Sequence, residues 1–131
     1  MRKRRVLLID DDEGITRALA MYLDAYGNCQ VRVENKGRRA VAAAREFRPD
    51  VIFLDIVMPD ADGGSIAAEI KADSLLRDTP VVFLTALVSQ HATHGVQAQI
   101  GGHPFLAKPV DPDVVLSCIE KYTSGINESA S

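Results

Sequence analysis

The stretch VIFLDIVMPDADG, residues 51–63, places four consecutive apolar residues directly before the carboxylate of Asp55. A short run that is apolar on both faces is typical of a strand in a parallel sheet, because helices cover both faces of such a sheet. Comparable runs lie on either side of it, at residues 6–9, 81–84 and 105–107. A weaker alternation of apolar and polar residues around Val31 and Val33 predicts one further strand.

Segments with helical periodicity separate these strands. Apolar residues recur at helical spacing in residues 15–26, 40–47, 66–73 and 114–122, and a more polar segment at 89–99 is predicted to be the fourth helix. Strands that alternate with helices predict an α/β fold with a doubly wound, five-stranded parallel sheet and helices on both faces, the flavodoxin-like (βα)5 arrangement. In open sheets of this type, ligands bind beyond the carboxyl ends of the strands.

The length and composition indicate one soluble domain. The chain has 131 residues, of which 47% are hydrophobic and 25% charged, and its formal net charge is −3. This balance supplies no basic surface for direct DNA binding, and no apolar run approaches the roughly 18 residues of a membrane-spanning helix. Two cysteines without disulfide or metal spacing favour a cytoplasmic location. We expect the domain to occupy residues 1–124 and residues 125–131 to form a flexible polar tail.

Polar side chains follow the predicted strands at their carboxyl ends. Asp10 and Asp11 follow the first strand, Asp55 the third, Thr85 the fourth and Lys108 the fifth. Because parallel strands end at the same edge of a sheet, we expect these groups to converge. Clustered carboxylates repel one another unless a cation compensates them, and Mg²⁺ prefers oxygen ligands of this kind. A site that combines Mg²⁺ with a lysine is suited to a phosphoryl group.

Other polar residues have simpler interpretations. Asp12 and Glu13 are predicted to cap the first helix. Gly63 is expected to adopt a positive φ in the turn after Asp55. His91 and His94 share a predicted helical face but have no third ligand nearby in sequence, so solvation is favoured. The basic cluster at residues 2–5 is expected to be a solvated lead-in to the first strand.

Four segments carry a resemblance to a known family. They are VLLIDDDE (6–13), VIFLDIVMPDADG (51–63), VVFLTA (81–86) and FLAKPV (105–110). In sequence and order they resemble the receiver domain of two-component response regulators, over about Arg4 to Tyr122. The resemblance implies a phosphoacceptor signalling domain that receives a phosphoryl group from the phosphohistidine of a sensor histidine kinase or a phosphotransfer protein.

The resemblance also implies how the acidic residues act. Asp55 would be the phosphoacceptor, its carboxylate attacking phosphorus to form an acyl phosphate. Asp11, Asp55 and the backbone carbonyl of Val57 would bind Mg²⁺ directly, and Asp10 would bind it through water. The domain would not be an enzyme acting on a separate substrate, although it can catalyse its own phosphorylation and dephosphorylation.

Further roles concern the response to phosphorylation. Thr85 would donate a hydrogen bond to the phosphoryl group and Lys108 would pair with it, while Phe105 would be the switch aromatic that rotates inward. Lys108–Pro109 would be a cis peptide bond. Because burial of a lysine is costly, Lys108 is expected to be dispensable for folding. The surface of the fourth helix, fifth strand and fifth helix, roughly residues 89–122, would act on a downstream protein or a second copy of the chain.

Two other classes of protein share parts of this pattern. A haloacid-dehalogenase-like phosphatase would use Asp10 as nucleophile and Asp12 as general acid. A flavodoxin-like cofactor binder would need Ser, Thr or Gly after the first strand to cradle a phosphate, whereas four acids there would repel one. The segment LDIVMPDADG has no role in the phosphatase and therefore favours the receiver domain.

Overall fold

The computed structural model describes residues 2–86 and 99–130. In chain order its elements are β1 (Arg4–Ile9), α1 (Glu13–Tyr26), β2 (Cys29–Glu34), the 3₁₀ turn Gly37–Arg39, α2 (Ala40–Phe47), β3 (Val51–Asp55), β4 (Val57–Met58), β5 (Ala61–Asp62), α3 (Gly63–Ala72), β6 (Val81–Thr85), β7 (Gln99–Ile100), β8 (His103–Ala107) and α4 (Pro112–Ala130). Among these residues, no helix is both long and apolar enough to cross a membrane.

The five predicted strands form one parallel sheet, which confirms the predicted fold class. The parallel strands lie in the order β2-β1-β3-β6-β8, so the chain direction across the sheet reverses between β1 and β3. In the described part of the chain, the short strand β7 extends this sheet by pairing antiparallel with β8. Gly101 and Gly102 join the two strands with φ values of +57° and +83°. Such a two-residue turn with positive φ at both positions matches the twist of a hairpin and favours glycine.

Alternating side chains of the strands fill a separate core on each face of the sheet. Leu7 and Ile9 of β1 point to the core covered by α2 and α3, whereas Val6 and Leu8 point to the core covered by α1 and α4. Every residue of β3 is buried, as expected for a strand between two helical layers. This double coverage explains why the strand sequences are continuously apolar.

The helix ends follow from local chemistry. The Asp12 side chain accepts a hydrogen bond from the Ile15 amide at 3.1 Å, which confirms it as the cap of α1. Helix α4 continues to Ala130, so it extends through residues 125–130 of the expected tail, past the expected boundary at residue 124. Of the predicted helix at 89–99, residues 89–98 lie outside the described residues, as do His91 and His94, and Gln99 belongs to β7.

Two members of the basic cluster at residues 2–5, Arg2 and Arg5, are anchored, although Arg2 and Lys3 are also exposed, as expected of a solvated lead-in. The guanidinium of Arg2 donates two hydrogen bonds, of 2.9 and 2.8 Å, to the carboxylate of Asp50. Asp50 also accepts a hydrogen bond from the backbone amide of Arg5 at 2.8 Å. The Arg5 guanidinium lies 4.2 Å above the ring centroid of Phe47. These contacts fasten the start of β1 to the segment before β3, at the edge of the sheet opposite the acidic residues.

Candidate functional site

Three carboxylates converge at the carboxyl edge of the sheet. Asp10 directly follows β1 and Asp55 ends β3, and these strands are neighbours with Ile9 opposite Leu54. Asp10 is fully buried, Asp55 is buried, and Asp11 is exposed. One carboxylate oxygen from each of the three lies within 4.8 Å of the others. The strand order therefore brings Asp55 together with acids that precede it by 44 and 45 residues in the sequence.

Lys108 supplies positive charge to this cluster. Its ammonium nitrogen lies 2.7 Å from Oδ2 of Asp10 and 3.4 Å from Oδ2 of Asp55. The backbone amide of Lys108 donates a hydrogen bond to the carbonyl of Thr85 at 2.9 Å, which ties the ends of β6 and β8 together. The Lys108–Pro109 peptide bond is cis. The described site thus holds a lysine against two carboxylates at one end of the sheet.

The electrostatics of Asp55 reflect its surroundings. Burial and, after it, the negative charge of Asp10 raise the pKa of Asp55 to about 6, although Lys108 acts in the opposite direction. Burial alone would lower the pKa of Lys108, but its hydrogen bond to Asp10 and the charges of Asp10 and Asp55 raise it above the ordinary value. The ionised form of Asp55 is therefore less favoured than that of an exposed aspartate, and further positive charge in the site would favour it.

The donor set fits a small divalent cation. Carboxylate oxygens are the hard ligands that such cations prefer, and three of them are available from Asp10, Asp11 and Asp55. The positive charge of Lys108 alone does not balance three neighbouring carboxylates. This imbalance is consistent with the raised pKa of Asp55. The geometry and the electrostatics both favour a second positive charge at this position.

Six of the residues predicted for the site line one open cleft of about 350 Å³. They are Asp10, Asp11, Asp55, Val57, Thr85 and Lys108, and Asp12 and Ala86 complete the lining. The Val57 residue is 58% exposed, and its backbone amide donates to Oδ1 of Asp55 at 3.4 Å. Thr85 is buried at the end of β6. The convergence predicted from the strand ends is therefore present in the fold.

Gly63 is required for a reason other than the expected one. Among the described glycines, positive φ occurs at Gly101 and Gly102 and not at Gly63. A Cβ atom at Gly63 would lie 2.5 Å from the carbonyl oxygen of Asp55 and 2.7 Å from Cα of Ile56. The expectation of a strained turn was wrong, because the constraint is a close approach between α3 and the backbone of the acidic residue.

Phe105 lies inside the core in this structure. The residue is 8% exposed, and it pairs in register with Phe83 of the neighbouring strand. Both rings belong to the core beneath α2 and α3. The predicted switch aromatic is therefore already in an inward position.

Sequence reasoning missed two polar residues that support the acidic loops. Asn35, immediately after β2, donates from its amide nitrogen to the carbonyl of Asp10 at 2.7 Å. Asp60 accepts hydrogen bonds from the backbone amides of Gly37 and Arg38, both at 3.1 Å. The position of Asn35 at a strand end was a usable signal, but the weak pattern of β2 did not reveal where that strand ends.

This fold and this cleft define a doubly wound α/β domain with an acidic site and a lysine at the carboxyl edge of its sheet. A model of the response regulator receiver domain matches residues 6–120. The chain belongs to that family, and it is a receiver domain of the two-component type. The comparisons give no support to the phosphatase alternative.

Individual relatives agree with this assignment. The chain is 31% identical to Protein PilH of Pseudomonas aeruginosa, over 92% of this chain and 98% of PilH. It is 37% identical to the response regulator PleD of Caulobacter vibrioides, over 91% of this chain and 26% of PleD. The solved structure of the chemotaxis response regulator CheY4 of Vibrio cholerae has a TM-score of 0.76 and 28% identity, covering 92% of this chain and 98% of that one. The chain spans about half the length, or less, of several other curated regulators that it matches.

Proposed function

We propose that this domain accepts a phosphoryl group on Asp55 from the phosphohistidine of a sensor histidine kinase or a phosphotransfer protein. The observation that carries the proposal is the convergence of three carboxylates with Lys108, whose ammonium lies 3.4 Å from Asp55. Family membership supports the same assignment, because receiver domains are signalling domains. Asp55 is the last residue of β3 and lines the cleft together with Asp10 and Asp11.

Mg²⁺ is the cofactor that this donor set favours. Asp10, Asp11 and Asp55, with the backbone carbonyl of Val57, would hold it, and all four residues line the cleft. When bound, the ion neutralises negative charge on the carboxylates and on the incoming phosphoryl group. The raised pKa of Asp55 supports this need for positive charge, because the carboxylate must be ionised to act as a nucleophile.

Transfer then depends on positioning by the protein. A carboxylate oxygen of Asp55 attacks phosphorus, the bond between phosphorus and the donor imidazole nitrogen breaks, and that nitrogen keeps the electron pair. Lys108 binds a phosphoryl oxygen. Its positive charge stabilises the negative charge on the phosphoryl oxygens in a loose transition state. The hydroxyl of Thr85 donates a hydrogen bond to another phosphoryl oxygen. Water later attacks the phosphorus of the acyl phosphate, the bond between phosphorus and the Asp55 oxygen breaks, and inorganic phosphate leaves while Asp55 regains its carboxylate. The same groups assist this hydrolysis, so the domain limits its own signal.

The output follows from the connection between Thr85 and Lys108. Both residues contact the phosphoryl group in this proposal, and a 2.9 Å backbone hydrogen bond joins them. A phosphoryl group adds roughly two negative charges, so Thr85 and Lys108 both move toward it. The ends of β6 and β8 move with these two residues. The predicted output surface, roughly residues 89–122, then changes its affinity for a downstream protein or for a second copy of the chain.

The phosphorylation test uses a small phosphodonor. Protein incubated with acetyl phosphate and Mg²⁺ should gain the mass of one phosphoryl group, and chelation of the metal should abolish the gain. Asp55→Asn should not be labelled. Asp24→Asn, which changes an exposed acid of α1 outside the cleft, is the matched control and should be labelled normally. Label on Asp10, or steady turnover of a generic phosphate ester, would overturn the proposal.

A further inference from the structure

The segment Asn35–Arg38, between β2 and α2, contacts both loops that carry the acidic residues. This segment lies at the far edge of the sheet and contributes nothing to the lining of the cleft. Its contacts reach the loop after β1 on one side and the hairpin of β4 and β5 on the other. We call it the β2–α2 clasp.

Asn35 holds the loop after β1. Its amide nitrogen donates to the carbonyl oxygen of Asp10 at 2.7 Å and to Oγ1 of Thr16 at 2.9 Å, so both amide protons are used. Thr16 is itself buried and lies in the first turn of α1. Because the Asp10 carbonyl belongs to the peptide that leads into Asp11, this bond fixes the direction in which Asp11 leaves the strand.

The backbone of the clasp holds the loop after β3. The two carboxylate oxygens of Asp60 accept the amide protons of Gly37 and Arg38, each at 3.1 Å. Gly37 packs so closely on the hairpin that a Cβ there would lie 2.7 Å from Cβ of Ala61. Since this hairpin begins at Val57, the clasp also limits the movement of the Val57 carbonyl.

We infer that the β2–α2 clasp pre-organises the metal site, with Asn35 as its main positioning residue. The inference rests on the proposed function, because it assigns a role toward Mg²⁺ binding. Three neighbouring carboxylates repel one another, and an unsupported Asp11 loop would relax away from Asp10 and Asp55. The clasp prevents this relaxation, so less reorganisation is needed when the cation binds. Hydrogen bonds that orient metal ligands in this way typically change metal affinity by about 10–100-fold.

The first test compares two amide residues of the same strand region. Asn35→Leu keeps the size of the side chain and removes both donors. Gln30→Leu is the matched control, because Gln30 is exposed at the opposite end of β2 and contacts Arg5 there. Since the chain has no tryptophan, Mg²⁺ affinity is measured by titration calorimetry. Asn35→Leu should weaken Mg²⁺ binding by about tenfold. The Gln30 variant should bind like the parent.

A second measurement separates positioning from loss of structure. The Asp12 amide donates to Oδ1 of Asp10 at 3.0 Å. Hydrogen exchange at this amide should be faster in Asn35→Leu, while exchange in the core of β3 should be unchanged. If Asn35→Leu fails to fold, Asn35→Ser, which keeps one donor, should show a smaller loss of affinity with the same pattern of exchange.

The outcomes distinguish the inference from the proposed function. If the parent protein itself neither binds Mg²⁺ nor accepts phosphate, the proposed function fails. If the parent does both and folded Asn35→Leu has the affinity of the parent, the clasp has no positioning role. A loss of affinity accompanied by general acceleration of exchange across β3 would also overturn the inference, because the effect would then be global destabilisation.

Discussion

The ammonium of Lys108 lies 2.7 Å from Oδ2 of Asp10, a carboxylate with no exposed surface. A buried ionised carboxylate is stable only with a partner, and Lys108 is the cation that the described residues provide. The lysine side chain is itself only 16% exposed. We therefore expect the pair to contribute to the stability of the folded domain before any phosphoryl group arrives, although the sequence alone predicts that Lys108 is dispensable for folding.

Replacement of Lys108 should therefore reduce stability as well as signalling. We expect Lys108→Ala to lower the free energy of unfolding without metal by about 1–3 kcal/mol, less than the full penalty for a buried pair, because Lys108 retains some exposure. Urea unfolding in the presence of a chelator measures this change. Lys121→Ala, which removes an exposed lysine from α4, should have the stability of the parent. Equal stability of the two variants would contradict a structural role for the Lys108–Asp10 pair.

The raised pKa of Asp55 predicts a pH-dependent effect of Asp55→Asn. The pKa is about 6 in the folded domain and 3.8 as the ordinary value, so the folded state holds this proton more tightly than the unfolded chain. The stability contributed by this group is therefore full below about pH 4, falls as the pH rises toward 6, and stays low above that. Asparagine carries no charge and avoids this loss.

Thermal unfolding of metal-free protein tests this effect. Near neutral pH, Asp55→Asn should be more stable than the parent by about 1–3 kcal/mol. Near pH 4 the difference should disappear. Added Mg²⁺ should stabilise the parent near neutral pH and have little effect on the variant. A variant that is less stable than the parent at neutral pH would show that Asp55 is already fully compensated by Lys108.

Gly63 and Gly64 provide a test of the close approach beneath α3. A Cβ at Gly63 would lie 2.5 Å from the backbone oxygen of Asp55, whereas at Gly64 the nearest atom is a side-chain oxygen of Asp62 at 3.3 Å. Gly63→Ala should destabilise the domain by about 1–3 kcal/mol and lower the rate of phosphorylation by acetyl phosphate, because Asp55 must shift. Gly64→Ala should retain both properties. Urea unfolding and mass spectrometry provide the two measurements.

The sequence predicts the fold and the location of the site because both depend on simple regularities. Buried strands such as residues 51–54 are continuously apolar, and the residues that follow them meet at one edge of the sheet. The role of Asn35 was not predictable, because it depends on which loop lies beside β2 in three dimensions. The reason for Gly63 was not predictable either, because a close approach and a positive φ both require glycine. The antiparallel strand β7 has only two residues, too few for a periodic signal.

The buried position of Phe105 changes what phosphorylation is expected to do. The sequence predicts that its ring rotates inward when the phosphoryl group is present, yet the ring is already packed opposite Phe83. Conversion to the phosphorylated state therefore needs no further burial of this ring. We expect the response at the end of the strand instead, where Thr85 pairs with Ala107 and the Lys108 amide donates to the Thr85 carbonyl.

Addition of beryllofluoride, a phosphoryl mimic, should therefore leave the solvent exposure of the Phe105 ring almost unchanged. Paramagnetic relaxation of its aromatic proton signals by a soluble probe measures that exposure directly. Backbone amide signals of β8 and α4 should shift more than those of α2 and α3. Phe105→Ala should lower the free energy of unfolding by about 3 kcal/mol even without the mimic, because it leaves a cavity in the core, whereas Phe105→Leu should lose less. A strong decrease in ring exposure on addition of the mimic would show that inward rotation of Phe105 is the switching step. Amide shifts confined to the loops around Asp55 would exclude transmission through β8.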